Sequence, residues 1–261
     1  MVTAVRAGAA GGWLAPGQQA GAAVRVFCLP HAGGGASVFR GWLADAPPGV
    51  EVCPVQLPGR ESRYGEDPPA GIVAMVPELA RAMLPFLDAP FALVGNSMGG
   101  LIAYELARHL LDRYLLSPVG LVVAGIRPPG SPDRLPPLSG LCEAEFGRAV
   151  QRRYGGIPPE LVDHPDFVAA FLPVLRADMA MVEHYRPTAG PPLPCPITAM
   201  VGAHDHTVGD AELRGWGAFT TGGFEVVVLD GDHFAMLAHP DAVLRRLAAG
   251  LGAPSAAGRS G

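Results

Sequence analysis

Apolar residues along the chain follow two alternating rhythms. Short runs with little polar interruption occupy residues 24–29, 50–57, 91–94, 119–125, 197–201 and 224–229. Their length and their content of Val, Ile and Phe predict strands buried on both faces. Stretches at 37–44, 72–87, 99–111 and 241–251 fit helices, the clearest being 72–87, whose apolar positions recur at a spacing near 3.6. Strand and helix in alternation predict an α/β fold, with a mostly parallel central sheet and helices on both faces. The alternation breaks between about 127 and 194. There, proline-rich loops flank helix-like stretches at 143–153 and 167–184. An insertion at this point would cover the carboxyl edge of the sheet, where doubly wound folds bind ligands, so it reads as a helical lid.

The 261 residues fit one domain, 23–252, that includes this lid. Residues 1–22, rich in Ala and Gly but broken by Gly and Pro, read as a flexible leader with no continuous apolar signal segment. Residues 253–261 read as a disordered tail. A net charge of −5 and the absence of any basic run argue against nucleic acid and against a membrane surface. No apolar run reaches membrane-spanning length. Every basic residue is Arg, which excludes a lysine Schiff base and a P-loop of the usual kind. The four cysteines, Cys28, Cys53, Cys142 and Cys195, form no CxxC pair, and a reduced, cytoplasmic protein is expected.

The chemistry centres on Gly95-Asn96-Ser97-Met98-Gly99, a G-x-S-x-G pattern between a predicted strand and a predicted helix. Two glycines without Cβ let strand and helix close around a sharp turn, which leaves the Ser97 hydroxyl exposed at a helix N-terminus. A serine needs a base. In hydrolases with this elbow the chain order is Ser, then acid, then His, which selects His233 after the last strand over His239. Asp205, in the loop after 197–201, is the candidate acid that orients it, with Asp210, Asp230 and Asp232 as alternatives. His204 and His206 flank Asp205 but do not by themselves make a metal site. One oxyanion donor is expected from the amide of Met98. The second is expected from the glycine-rich loop Pro30-His31-Ala32-Gly33-Gly34-Gly35.

Taken together, Cys28-Leu29-Pro30-His31-Ala32-Gly33-Gly34, Gln56-Leu57-Pro58-Gly59-Arg60, the elbow, Pro173-Val174-Leu175-Arg176-Ala177-Asp178 and Gly231-Asp232-His233-Phe234 resemble the type II thioesterases of polyketide and nonribosomal peptide synthesis. That resemblance implies the α/β-hydrolase fold and a Ser97–Asp205–His233 triad with the Ala32 and Met98 amides as oxyanion donors. It also implies hydrolysis of acyl thioesters carried on the phosphopantetheine arm of acyl or peptidyl carrier proteins, with no metal or redox cofactor. The family usually has His where Asn96 precedes the nucleophile. A small-molecule carboxylesterase, a chain-releasing thioesterase and an inactive binding scaffold are the alternative readings. Phe146, Phe167, Phe171, Leu172, Leu175, Met179 and Met181 are candidates for an acyl pocket. Arg127, Arg134, Arg152 and Arg153 are candidates for contact with an acidic carrier. Arg60, Arg176 and Asp178 read as ion-pair or hydrogen-bonding residues that pin the lid.

Overall fold

Six apolar runs form the strands β1 (Val24–Leu29), β2 (Val50–Pro54), β3 (Phe91–Asn96), β4 (Gly120–Ala124), β5 (Ile197–Gly202) and β6 (Phe224–Leu229). They assemble into one sheet of order β2-β1-β3-β4-β5-β6, and every pairing is parallel. The computed structural model describes residues 12–14, 22–132 and 135–250. The tail at 253–261 and most of the stretch read as a leader lie outside the described residues.

Helices cover both faces of the sheet, as uninterrupted apolar strands require. Phe27, Leu29, Leu93 and Val123 point to one side, against α2 (Ile72–Met83) and α3 (Met98–Tyr114). Val26, Cys28, Val94 and Val122 point to the other, against Trp42 of α1 (Arg40–Asp45) and Val243, Leu244 and Leu247 of a C-terminal helix that runs from Pro240 to Gly250. The predicted helix at 37–44 divides into a 3₁₀ turn, Ala36–Phe39, and α1. The run at 72–87 ends its α-helix at Met83 and continues as a 3₁₀ turn. The strand predicted to reach residue 57 stops at Pro54: the Val55 amide still donates to the Cys28 carbonyl at 2.9 Å, but the next amide, that of Gln56, donates to the Trp13 carbonyl instead.

Within the predicted leader, residues 12–14 are held firmly against the domain. Trp13 is 2% exposed; its indole N–H donates to Glu78 and the Arg63 guanidinium lies over its ring. Leu14 bridges to Val55, just beyond the end of β2. A flexible leader is therefore corrected at these residues, because burial of an indole outweighs the flexibility of its glycine-rich neighbours.

Two lid helices, α4 (Glu143–Tyr154) and α5 (Pro165–Glu183), share a separate apolar cluster that includes Phe146, Val150, Leu172, Leu175 and Met179. Glu183 accepts hydrogen bonds from the Leu138 and Ser139 amides, and Arg176 donates to the Ser139 and Leu141 carbonyls. The segment leaving the lid is clasped to α3. Glu105, 2% exposed, accepts from the Tyr185 hydroxyl and the Thr188 amide, and Arg108 donates to the Pro191 carbonyl at 2.6 Å. Among the described residues no helix is long and apolar enough to cross a membrane.

Candidate active site

The strand order reverses direction between β1 and β3, and the loops that leave the carboxyl ends of these two strands frame the site. Ser97 stands between β3 and α3 with φ 52° and ψ −120°. This backbone conformation is costly for a residue with a side chain, of order 1–3 kcal/mol, and persists only where the surroundings enforce it. Those surroundings are visible. A Cβ on Gly95 would lie 2.1 Å from the Gly99 carbonyl carbon, and one on Gly99 would lie 2.1 Å from the Leu29 oxygen. The Ser97 amide donates to the Ala124 carbonyl at 2.7 Å, which ties the elbow to the end of β4.

His233 reaches the site through a tight closure of the last two strands. The Ala203 and His204 amides donate to the Leu229 and Gly231 carbonyls at 2.8 and 2.9 Å. Gly202 allows the closure, since a Cβ there would lie 2.0 Å from the Asp232 oxygen. The imidazole rests on Gly125, whose φ of +61° disfavours a side chain and where a Cβ would lie 3.2 Å from the ring, and packs against the rings of Tyr154 and Phe234. His233 Nδ1 meets Asp205 Oδ2 at 2.9 Å, and both side chains are almost fully buried. The Thr207 hydroxyl and amide donate to Asp205 Oδ1 at 2.7 and 2.8 Å. Burial alone would raise the Asp205 carboxyl pKa, but the hydrogen bonds from His233 and Thr207 prevail and hold it below the usual carboxylate value. With Nδ1 engaged in this way, Nε2 is the nitrogen left for proton transfer.

Ser97, Thr207 and His233 line one cavity of about 590 Å³, together with His31, Ala32 and a wall of lid residues that includes Tyr154, Phe171, Leu175 and Met179. Of the lid residues expected at an acyl pocket, Phe171, Leu175 and Met179 line it. Phe146 and Leu172 belong to the lid's own core, Phe167 packs against that core, and Met181 joins the main core. The competing acids lie elsewhere. Asp210 is exposed and paired with Arg214, Asp230 is exposed, and Asp232 accepts from the Phe234 amide at the surface. His239 bonds the Asp230 carbonyl, and His204 and His206 face solvent. Arg127 and Arg153 lie at the cavity, Arg152 is exposed outside its lining, and Arg134 falls outside the described residues. Asp178 pairs with Arg60, in a buried two-bond contact, while Arg176 binds lid carbonyls instead. Sequence reasoning missed Thr207. The signal was present, because an Asp followed two residues later by Thr readily forms a turn in which the carboxylate accepts from the later amide.

The parallel sheet, the elbow and the buried Asp–His contact define a hydrolase of the α/β-hydrolase fold. The chain belongs to the thioesterase family: the family model for the thioesterase domain matches residues 24–251. Linear gramicidin dehydrogenase LgrE of Brevibacillus parabrevis is 36% identical over 88% of this chain and 89% of that protein. The gramicidin S biosynthesis protein GrsT of Aneurinibacillus migulanus is 37% identical over 82% and 83%. RedJ, a thioesterase from the prodiginine biosynthetic pathway in Streptomyces coelicolor, superposes with a TM-score of 0.80 at 36% identity, covering 88% of this chain and 91% of that one.

Proposed function

We propose that this thioesterase acts in trans on acyl groups held by phosphopantetheine on acyl or peptidyl carrier proteins, and clears stalled or aberrant units in polyketide or nonribosomal peptide synthesis. Ser97 is the nucleophile, His233 the base, and Asp205 the acid that fixes the imidazole tautomer. Ser97 Oγ attacks the thioester carbonyl as His233 Nε2 takes its proton. The Ala32 and Met98 amides hold the oxyanion. The intermediate collapses with loss of the pantetheine thiolate, which takes the proton back from the imidazolium, and leaves the acyl group on Ser97. Water then attacks the ester, gives its proton to His233, and the free acid leaves as Ser97 is reprotonated. These steps call for no metal or redox cofactor.

The observation that carries this reading is the shared cavity, which joins Ser97 and the His233–Asp205–Thr207 network to an apolar lid wall fit for an acyl chain. In support of the oxyanion roles, the Ala32 amide has no protein acceptor among the described residues, and the Met98 amide opens a helix. The carrier is proposed to approach near Arg127 and Arg153. The unpaired cysteines suit a reducing, cytoplasmic setting.

The test is hydrolysis of acyl groups loaded on a phosphopantetheinylated carrier protein, beside free acyl-pantetheine and p-nitrophenyl esters, by wild type and Ser97→Ala. Faster cleavage of carrier-bound thioesters, abolished in the variant, is the expected result. Activity on oxygen esters alone would instead make the protein a carboxylesterase, and an active Ala variant would remove Ser97 from the mechanism.

A further inference from the structure

The loop that offers the Ala32 amide is held from outside itself. Gly33 has φ +77° and donates its N–H to Asp178 Oδ2 at 2.7 Å. The carbonyl on the other side of the same peptide group, that of Ala32, lies 2.9 Å from His31 Nδ1. Both ends of the Ala32–Gly33 peptide are therefore tied. One residue further on, the Gly34 carbonyl accepts from Arg60 Nη1 at 3.2 Å. Arg60 also makes two hydrogen bonds to Asp178, at 2.5 and 2.8 Å. Asp178 is 0% exposed and Arg60 6%.

Asp178 sits on α5, the helix that supplies Phe171, Leu175 and Met179 to the cavity wall. Phe171 and Leu175 also press on Gly33, where an added Cβ would lie 2.8 Å from Phe171 Cζ. The acyl wall and the oxyanion loop are thus parts of one packed unit. A bare carboxylate one peptide away from a developing oxyanion would oppose it, and the Arg60 guanidinium removes that opposition.

We propose that Asp178 and Arg60 are positioning residues of the reaction: the lid helix, through the Asp178 carboxylate, anchors the Ala32–Gly33 peptide and, through the Ala32 Cα that joins them, holds in place the preceding His31–Ala32 peptide whose N–H is the proposed donor to the oxyanion, while Arg60 holds and neutralises that carboxylate. This rests on the reading of Ala32 as a donor given above. Neither residue touches the reacting atoms, so each acts on kcat through the loop and leaves ground-state binding in the cavity nearly unchanged.

The experiment measures kcat and KM for butyryl-pantetheine with wild type, Asp178→Asn, Arg60→Met, Arg60→Lys and the double variant Arg60→Met/Asp178→Leu, with the thermal midpoint of each. Asp178→Asn is expected to lower kcat by about tenfold or more, short of the loss from removing an oxyanion donor outright, with KM within about twofold. Arg60→Met is expected to lose more, because it strands a buried carboxylate, and Arg60→Lys less. The double variant removes both charges together, so it is expected to fold with a midpoint near that of wild type. Its kcat is nevertheless expected to stay low, since the Gly33 N–H has lost its acceptor on the lid helix. A folded double variant with wild-type kcat would show the pair to be structural only and would overturn the proposal, as would variants that change KM alone. Ser97→Ala, run alongside, separates the two levels: if it stays active the catalytic reading itself fails, and if it is dead while Asp178→Asn turns over normally only the positioning role fails.

Discussion

Replacing Gly99 with Ala tests the site through a single methyl group. The added Cβ would lie 2.1 Å from the Leu29 oxygen and 2.7 Å from both the Leu29 carbonyl carbon and the Pro30 oxygen. These are backbone atoms, so no flexible side chain can absorb the clash. Ordinary contact begins near 3.4 Å, so β1 and the start of α3 must part by about 1.3 Å. Leu29 is fully buried and pairs with Gly95 in the sheet, in an interior too densely packed to yield locally. The displacement therefore reaches the two proposed oxyanion donors, Met98 beside the substitution and Ala32 three residues after Leu29. Such donors act only within about 2.7–3.1 Å of the oxyanion, and loss of one costs about 10²–10³ in kcat, or roughly 2.7–4 kcal/mol. Overpacking costs about 1–3 kcal/mol of stability, which a domain stable by about 5–15 kcal/mol survives. The assay is release of free pantetheine thiol from an acyl-pantetheine, with the thermal midpoint as a check on folding. Gly41→Ala is the control, since nothing lies within 4 Å of its added Cβ. It is expected to keep full activity. A folded Gly99→Ala enzyme with kcat within about threefold of wild type would refute the reasoning that this contact holds the oxyanion donors in register.

Three further outcomes are expected. Asp205→Asn is expected to lower kcat by about 10³–10⁴, as loss of the group that holds the imidazole tautomer does elsewhere. Its pH signature follows from the carboxyl's depressed pKa: the stabilisation is present above the unfolded value near 3.8 and is lost as pH falls below it. Urea unfolding of wild type and Asp205→Asn should thus differ more at pH 7 than at pH 3; a gap that stays constant would contradict the hydrogen-bonded carboxylate. In the native protein a thiol reagent should titrate one cysteine of four, the exposed Cys142. Cys28, Cys53 and Cys195 are buried, and burial pushes the thiol of Cys195 up to about 11 and those of Cys28 and Cys53 up as well; rapid reaction of more than one would refute this packing. Trp13→Ala should destabilise the fold by about 3–5 kcal/mol in urea denaturation; a change below about 1 kcal/mol would show that residues 12–14 do not belong to the folded unit.

Much of this protein could be read from the chain because the relevant physics is local. Apolar runs of strand length and helical spacing mark where elements lie, since each must bury a face whatever its partners are. The elbow is legible because Gly95 and Gly99 flank Ser97 in sequence, and its steric demand falls within five residues. Asp205 and His233 were placed by chain order after particular strands. What bound them together was not in the order. The zipper of Ala203 and His204 onto Leu229 and Gly231, with Gly202 beneath Asp232, brings residues 28 positions apart to 2.9 Å. Trp13 went unrecognised because its glycine-rich setting reads as loose, and only the surface formed by Arg63 and Glu78 gives the indole somewhere to go. The same holds for Asp178. Its neighbour in sequence, Arg176, looked like its partner, but two residues apart on a helix they point to different sides, and the fold delivers Arg60 from 118 positions away. Apolar period and the local glycine motif thus determine which elements form and where the proposed nucleophile stands. The pairings of charge and the hydrogen bonds that aim each proposed catalytic group depend on contacts between distant segments, which exist only once the sheet and lid have packed.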